Sequence, residues 1–506
     1  MEKFENKFLY AEKRVLPARQ VQVECSISTN GENLSKILSL CANANVLQVE
    51  TRAGEAVVGG EVFSNLLFLT DDERVNNLTA VCDFQEIFKD ELLNEDSKLC
   101  ARAKVVSVSP TKVQENQVVM NVLVEISVYD FSNRQMSVVD SFNDDINVLE
   151  DLIKVNVLKG HTKQDFEVET KFTSKDQIEK ILFVDSNVCL KDTVSADGFV
   201  VVSGEICSYV TYVNQDGNLC KCQICEQFKE EIQVENAQKA YFASSLASVR
   251  KSQIKTTLNQ GESENNVSIV SPVYVCVNVF GEEEIVVPTD LYSVRNEVEL
   301  VRNDFVSTFN LPSKTFETKI EGNLTLDENQ PRIDKILCVT SPNLNVSNAY
   351  FNDGELFVEG VVTANVVYLN DDENIITSVE LEVPFVSAEK LNLEQSQVLV
   401  CTSCMLYDCD VMAKRGREIY FDCKMKVHTN NSFNREFNVI TDVVLGRALA
   451  QSDSSIEIFF AKPNQTHWEI AKELKISKEL LVKQNPNLKD PTEKDERVVV
   501  YYGIEN

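Results

Sequence analysis

Glycine and proline are scarce in this chain, 16 and 11 among 506 residues, which excludes collagen-like and Pro/Gly-rich low-complexity sequence. No apolar run approaches the roughly 18 residues that a membrane-spanning helix needs. Histidine is nearly absent: His161, His428 and His467 are the three, and none has a second histidine at metal-ligand spacing. There is no Gly-x-Ser-x-Gly elbow and no glycine-rich phosphate loop. The hydrolase and nucleotide-binding classes built on those motifs therefore drop out, and neither enzymatic activity nor a cofactor is expected. Carboxylates converging from distant positions, as in glycoside hydrolysis, are the enzymatic alternative that such a search leaves open. Positive charge is also in deficit, 49 Lys and Arg against 79 Asp and Glu, a net charge of −30. That surface repels phosphates, so no nucleic-acid partner and no anionic lipid surface is expected. In the first twenty residues charges interrupt every apolar stretch, leaving no signal-peptide core. The expected location is cytoplasmic.

What is present is enough apolar sequence, 43% of residues, to bury several cores, and a length that suggests about three or four domains. Three segments share one pattern. Lys36-Ile37-Leu38, Lys180-Ile181-Leu182 and Lys335-Ile336-Leu337 are followed, 24, 24 and 25 residues after the lysine, by Gly60, Gly204 and Gly360. From those glycines to Phe84, Phe228 and Phe385 the spacing is again 24, 24 and 25. A repeated double spacing marks a triplicated domain. Apolar alternation closed by turn residues, as in Val200 to Tyr212 before Asn214-Gln215-Asp216-Gly217, reads as antiparallel hairpins. Each copy continues with another strand (Val118 to Tyr129, Asn266 to Phe280, Ile419 to His428) and a separate closing strand (Met136 to Ser141, Glu284 to Ser293, Phe437 to Val443). The fold class is mainly β: three tandem sandwich-like repeats over 1–160, 161–310 and 311–452. The repeated glycine is read as a strand position that permits a bulge or a close backbone approach. Acidic runs such as Asp71-Asp72-Glu73 and Glu282-Glu283-Glu284 are placed at solvated hairpin tips.

Fifteen cysteines, odd in number and scattered, suit a reducing compartment better than a disulfide framework. Two Cys-x-x-Cys pairs, Cys222 to Cys225 beside Cys220 and Cys401 to Cys404, are the candidate zinc ligands. They fall at different places in different repeats, and Cys220 and Cys222 alternate as small core residues do, so no metal is expected.

After Asp453 the pattern changes. A short strand, Ile456 to Phe460, precedes Thr466 and Glu469, which form a capping box for a helix with Trp468, Ile470, Ala471 and Leu474 on its apolar face. Ser477 caps a second helix, Asn485-Pro486-Asn487 ends it, and Val498 to Tyr502 supplies a second strand. The expected module is β-α-α-β over 455–503, and Trp468 is read as its core residue.

On Lys462-Pro463, Thr466, Trp468-Glu469-Ile470-Ala471, Ser477, Leu480 and Asn485-Pro486-Asn487, this segment resembles the LysM domain. The resemblance implies a ligand groove between two loops, Asn464-Gln465-Thr466 and Asn485-Pro486-Asn487, and as ligand the N-acetylglucosamine backbone of peptidoglycan or chitin. Two positions depart from the family. Its Gly-Asp is Asn464-Gln465 here, and its Gly-Gln is replaced by Lys494 to Arg497; both changes touch the groove and leave the fold intact. The whole chain resembles the SPOCS-domain proteins of endospore-forming bacteria that end in a LysM module, on the Lys-Ile-Leu start, the Val-x-Gly-Glu strand and Thr289-Asp290-Leu291-Tyr292-Ser293. In the first copy the corresponding close is Val139-Asp140-Ser141. That resemblance implies a spore coat morphogenetic scaffold on the mother-cell side of the forespore. Its SPOCS repeats would bind coat proteins, and its LysM module would dock on the coat ATPase. The alternative is peptidoglycan binding, or a wall-associated role, through the same module.

Overall fold

The computed structural model describes residues 4–502, apart from 30, 32, 115–116, 142–144, 262–264, 372–374, 392, 394–396 and 451–454. It is mainly β, with antiparallel sheets throughout. Among the described residues no helix is long and apolar enough to cross a membrane.

Period-two burial builds the elements. Along Gln117–Asp130, Val118, Met120, Val122, Val124, Ile126 and Val128 are all buried while their neighbours are not, which puts one whole face of the strand into a core. Each such valine contributes about 1.5–3 kcal/mol relative to exposure. The same two-part unit appears three times. One part is a three-stranded meander: Leu34–Arg52, Glu55–Thr70 and Val75–Lys89; then Ile178–Ala196, Phe199–Asn214 and Leu219–Gln233; then Ile333–Asn352, Glu355–Asn370 and Ile376–Lys390. The other part is a long two-stranded ribbon with further pairing on one side. In the second unit Ile146–Ser174 pairs with Asn265–Ser293, and in the third Asn296–Thr325 pairs with Glu418–Ala448. Meander and ribbon close over one apolar core, as where Val58, Val62 and Phe84 meet Val23, Val122 and Ile126.

The ribbons differ from the expected pattern of a body strand plus a separate closing strand. In the second and third units those segments are one continuous strand of 29 and 31 residues. Only the first unit is interrupted: Phe4–Ala11 pairs with Asn133–Ser141, and Arg19–Ser28 pairs with Gln117–Asp130. Pro17 lies in the gap and has no N–H for a ladder. The fully buried Asp130 fills the break opposite, held by Arg14 at 2.9 Å and Arg134 at 2.6 Å. Glu282 to Glu284 are not a hairpin tip. They lie mid-ribbon opposite Asn156, Val155 and Lys154, where Lys154 pairs with Glu284 at 3.4 Å and Lys159 with Glu283. A ribbon face open to water accepts charges that are otherwise depleted from strands. Asp71 to Glu73 do occupy a turn.

The repeated glycine and phenylalanine face each other. Gly60 pairs with Phe84, Gly204 with Phe228 and Gly360 with Phe385. On the other side the neighbouring strand bulges at Leu47, Lys191 and Ser347. A Cβ on Gly204 would lie 2.6 Å from the Cys189 carbonyl oxygen and 2.7 Å from Phe228 Cζ, so the ring occupies the space that glycine leaves. Gly204→Ala is expected to cost roughly 1–3 kcal/mol, read as a lower urea midpoint at unchanged m, and Gly60→Ala and Gly360→Ala should cost the same. No shift in any of the three would refute this packing.

The Lys-Ile-Leu motif marks a second bulge. Leu38, Leu182 and Leu337 are the extra residues between paired neighbours, and all three join one cluster with Leu67, Leu219 and Val367. The three meanders thus meet around a common centre. Around it Lys36 reaches Thr377 of the third unit, Lys180 donates to Asn76 Oδ1 of the first at 2.6 Å, and Lys335 stands near Cys220 of the second. The ribbons converge likewise, through Phe8, Tyr10, Val155, Val287, Phe305 and Phe437.

The C-terminal segment runs Ile456–Ala461, helix α1 (His467–Leu474), helix α2 (Lys478–Gln484), Glu496–Tyr501. Thr466 and Glu469 form the capping box, and Ser477 Oγ accepts from Leu480 N at 3.1 Å. Residue 503, the expected end of this module, lies outside the described residues.

Candidate functional site

The two loops singled out in the sequence are tied together by 488–492: Asn464 N donates to the Thr492 carbonyl at 2.7 Å, and His467 Nε2 contacts the Leu488 carbonyl at 3.1 Å. The side chains of three of the six loop residues are engaged in holding the fold. Gln465 Oε1 accepts from Lys462 N at 2.7 Å. Thr466 caps α1, its N–H donating to Glu469 Oε2 at 2.8 Å. Asn485 Nδ2 donates to the Leu481 carbonyl at 3.1 Å and the Val499 carbonyl at 2.9 Å, while its Oδ1 accepts from Val499 N at 2.9 Å. Its side chain staples α2 to the last strand. Asn464, Pro486 and Asn487 are exposed, with Asn464 at φ +67°.

Trp468 is more than a core residue. Its indole Nε1 donates to Asp290 Oδ2 at 2.8 Å, and Lys472, one helical turn on, donates to both oxygens of that carboxylate at 2.7 Å. Tyr292 inserts its ring into the module's core, edge-on to Trp468 at 4.9 Å, and its hydroxyl donates to the Ile476 carbonyl at 2.7 Å. The Thr289 to Ser293 motif of the second unit is therefore the seat of the C-terminal module. Burial alone would raise the Asp290 pKa, but the hydrogen bonds from Lys472 and Trp468 outweigh it and hold the carboxyl below its ordinary range. In the third unit Val444 stands at the position of Tyr292 and is exposed, with no hydroxyl to make such a bond. The sequence displayed the motif, but its partner lies 182 residues away.

The module's two-stranded sheet has one face packed on the helices through Phe459, Ala461, Val498 and Val500. The other face carries Ile456, Ile458 and Phe460, which are 53%, 55% and 70% exposed. Across the ladder they meet Tyr501, Val499 and Arg497. Three large apolar side chains thus lie in a row on the open face of this sheet.

A polar cavity of about 390 Å³ lies where the three units meet, adjoining another of about 690 Å³. Equivalent asparagines of the three units line both: Asn43, Asn187 and Asn343, each three residues past its repeat glycine in the register (opposite Phe63, Cys207 and Thr363). Lys251 donates to Asn43 Oδ1 and Asn187 Oδ1 at 2.9 Å each and pairs with Asp185 at 2.7 Å. The lysine joins the first unit to the second, a structural task within a polar part of the interior.

The cysteine pairs noted in the sequence do not come together. Cys220 and Cys222 lie half-buried on one face of Leu219–Gln233, and burial raises both thiol pKa values. Cys225 points elsewhere and is disulfide-bonded to Cys207, its cross-strand partner. Burial pushes the Cys404 thiol up to about 12, and the Tyr209 hydroxyl lies 3.4 Å from Cys409 Sγ. The expectation of reduced cysteines fails for four of the fifteen, since Cys100 is also bonded to Cys276. Folding places these pairs face to face, which scattered positions in sequence do not reveal. Beside the second pair lies His161, which burial holds neutral with a pKa of about 4.

No family model, curated protein or solved structure matches the chain.

Proposed function

We propose that the protein is a non-enzymatic scaffold for assembly of the bacterial spore envelope. Its three SPOCS-like units hold coat proteins, and its LysM-like module docks on the coat morphogenetic ATPase at the forespore surface, on the mother-cell cytoplasmic side. The exposed apolar face of Ile456, Ile458 and Phe460 carries this reading. Such a surface suits a folded protein partner, whereas a glycan groove needs free polar groups and an aromatic platform. In this chain Gln465, Thr466 and Asn485 are engaged internally, and Trp468 faces Asp290. The units set one copy of the module at the end of one ribbon. A net charge of −30 further favours basic coat proteins as cargo.

Deleting 454–506 is expected to delocalise a fluorescent fusion in sporulating cells, and unchanged localisation would sink the docking role. Purified peptidoglycan supplies the second arm. The scaffold reading expects no retention of the full chain, whereas retention lost on Asn464→Ala with Asn487→Ala would install glycan binding in its place.

A further inference from the structure

We propose that Cys100, Cys276 and His161 form a zinc site that clamps the first unit to the second once the two thiols are reduced. The ligands come from three strands, Leu99–Gln114, Asn265–Ser293 and Ile146–Ser174, and their ligand atoms all lie within 4.8 Å of one another. Tetrahedral zinc, with bonds of about 2.3 Å to sulfur and about 2.0 Å to nitrogen, requires ligand separations of about 3.5–3.8 Å, which the two sulfurs, bonded to each other here, reach by parting on reduction. Two thiolates and an imidazole are a soft set that selects zinc over magnesium or calcium.

The surroundings are those of a metal ligand set. Asn278, the cross-strand partner of His161, places Oδ1 2.8 Å from His161 Nδ1, which fixes the ring and leaves Nε2 for the ion. Asn278 is 1% exposed, and its Nδ2 has no hydrogen-bond partner among the described residues. Two residues from Cys276 on the same strand face, that N–H is available to a metal-bound thiolate. Phe131, Leu158, Leu246 and Phe280 enclose the sulfurs in an apolar cluster.

The structure joins the two sulfurs as a disulfide, so the two states alternate. A dithiol reductant gives up two electrons and two protons, becoming its own disulfide and leaving two thiols. Zinc then displaces both thiol protons to solvent and takes water in the fourth tetrahedral position.

The test uses the full chain purified in reductant without chelator. Elemental analysis is expected to find one zinc per chain, falling to none in Cys100→Ser with Cys276→Ser. Asn278→Ala, a positioning change, should weaken zinc roughly 10- to 100-fold against a competing chelator. If the serine variant misfolds, cobalt added to the reduced wild type decides: a thiolate-to-cobalt charge-transfer band is expected. A reduced wild-type chain that neither retains zinc nor develops this band overturns the proposal, as does zinc retained by a folded serine variant.

Discussion

Asp290→Ala is expected to release the C-terminal module from the body, and the chain's single tryptophan will report it. Trp468 is the residue whose indole N–H loses its acceptor, so undocking moves its emission to the red and raises its quenching by acrylamide. Lys472 is partly exposed and regains water when the carboxylate goes, so the ion pair itself counts for little. The indole N–H and the Tyr292 contact are the larger part. A hydrogen bond to a charged group contributes about 1.5–3 kcal/mol, which is roughly a 10- to 150-fold change in the ratio of docked to free module. Asp290→Asn keeps an acceptor for the indole and should fall between. The pH dependence has a definite sign. The Asp290 carboxyl is held below its ordinary range in the docked state, so the deprotonated form favours docking. That contribution is fully present above the unfolded pKa of about 3.9 and is lost as pH falls through the depressed value. Trp468 emission is therefore expected to be flat from pH 7 down to about 4 and to shift only below it in the wild type. An Asp290→Ala protein with wild-type emission and quenching would show that the seat holds without this bond.

On the docking role proposed above, Ile458→Glu with Phe460→Glu is expected to abolish binding to the coat ATPase while leaving the module folded. Both side chains already face water, so exchanging them costs within about 0.5 kcal/mol of stability. At a protein interface the same positions are apolar anchors, and losing such an anchor typically costs about 2–4 kcal/mol. Two of them, each replaced by a charge that must be desolvated, remove measurable affinity in a titration of the purified proteins. Unchanged Trp468 emission in this variant is the control for folding and docking. Wild-type affinity in the double variant would move the docking surface off this sheet.

Much of the scaffold was legible because strands announce themselves locally. The alternation through Val118 to Asp130 needs nothing beyond its own sequence, and the two constant spacings exposed the threefold repeat. The glycine–phenylalanine pairing was half visible: the spacing pointed to a shared register, but not to the ring filling the place of a Cβ. What stayed hidden depended on distant partners. Asp290 sits in a motif that invited notice, yet its role comes from Trp468 and Lys472. Cys100 and Cys276 are 176 residues apart, and His161 lies between them on another strand, so no ligand spacing exists to be found. Glu282 to Glu284 misled because a charge run ordinarily marks a loop, whereas an open ribbon carries charges without interrupting its ladder. Asn43 and Asn187 share one offset from their lysines and Asn343 is one residue further, but amides at strand positions signal little until a lysine is seen bridging them.

The convergence of the three ribbons has a consequence for how the chain is made. Phe8 packs edge-on to Phe305 at 5.6 Å, and Lys13 N donates to Thr308 Oγ1 across 295 residues of sequence. Phe4–Ala11 thus leaves the ribosome well before part of its packing exists, because that part is supplied by the third unit. At 5–20 residues per second, that wait is roughly 15 to 60 seconds. Through it, Phe8 and Tyr10 lack Phe305 and Phe437, part of what buries them, an interval in which a chaperone has its best opportunity to engage this strand before the molecule closes on itself.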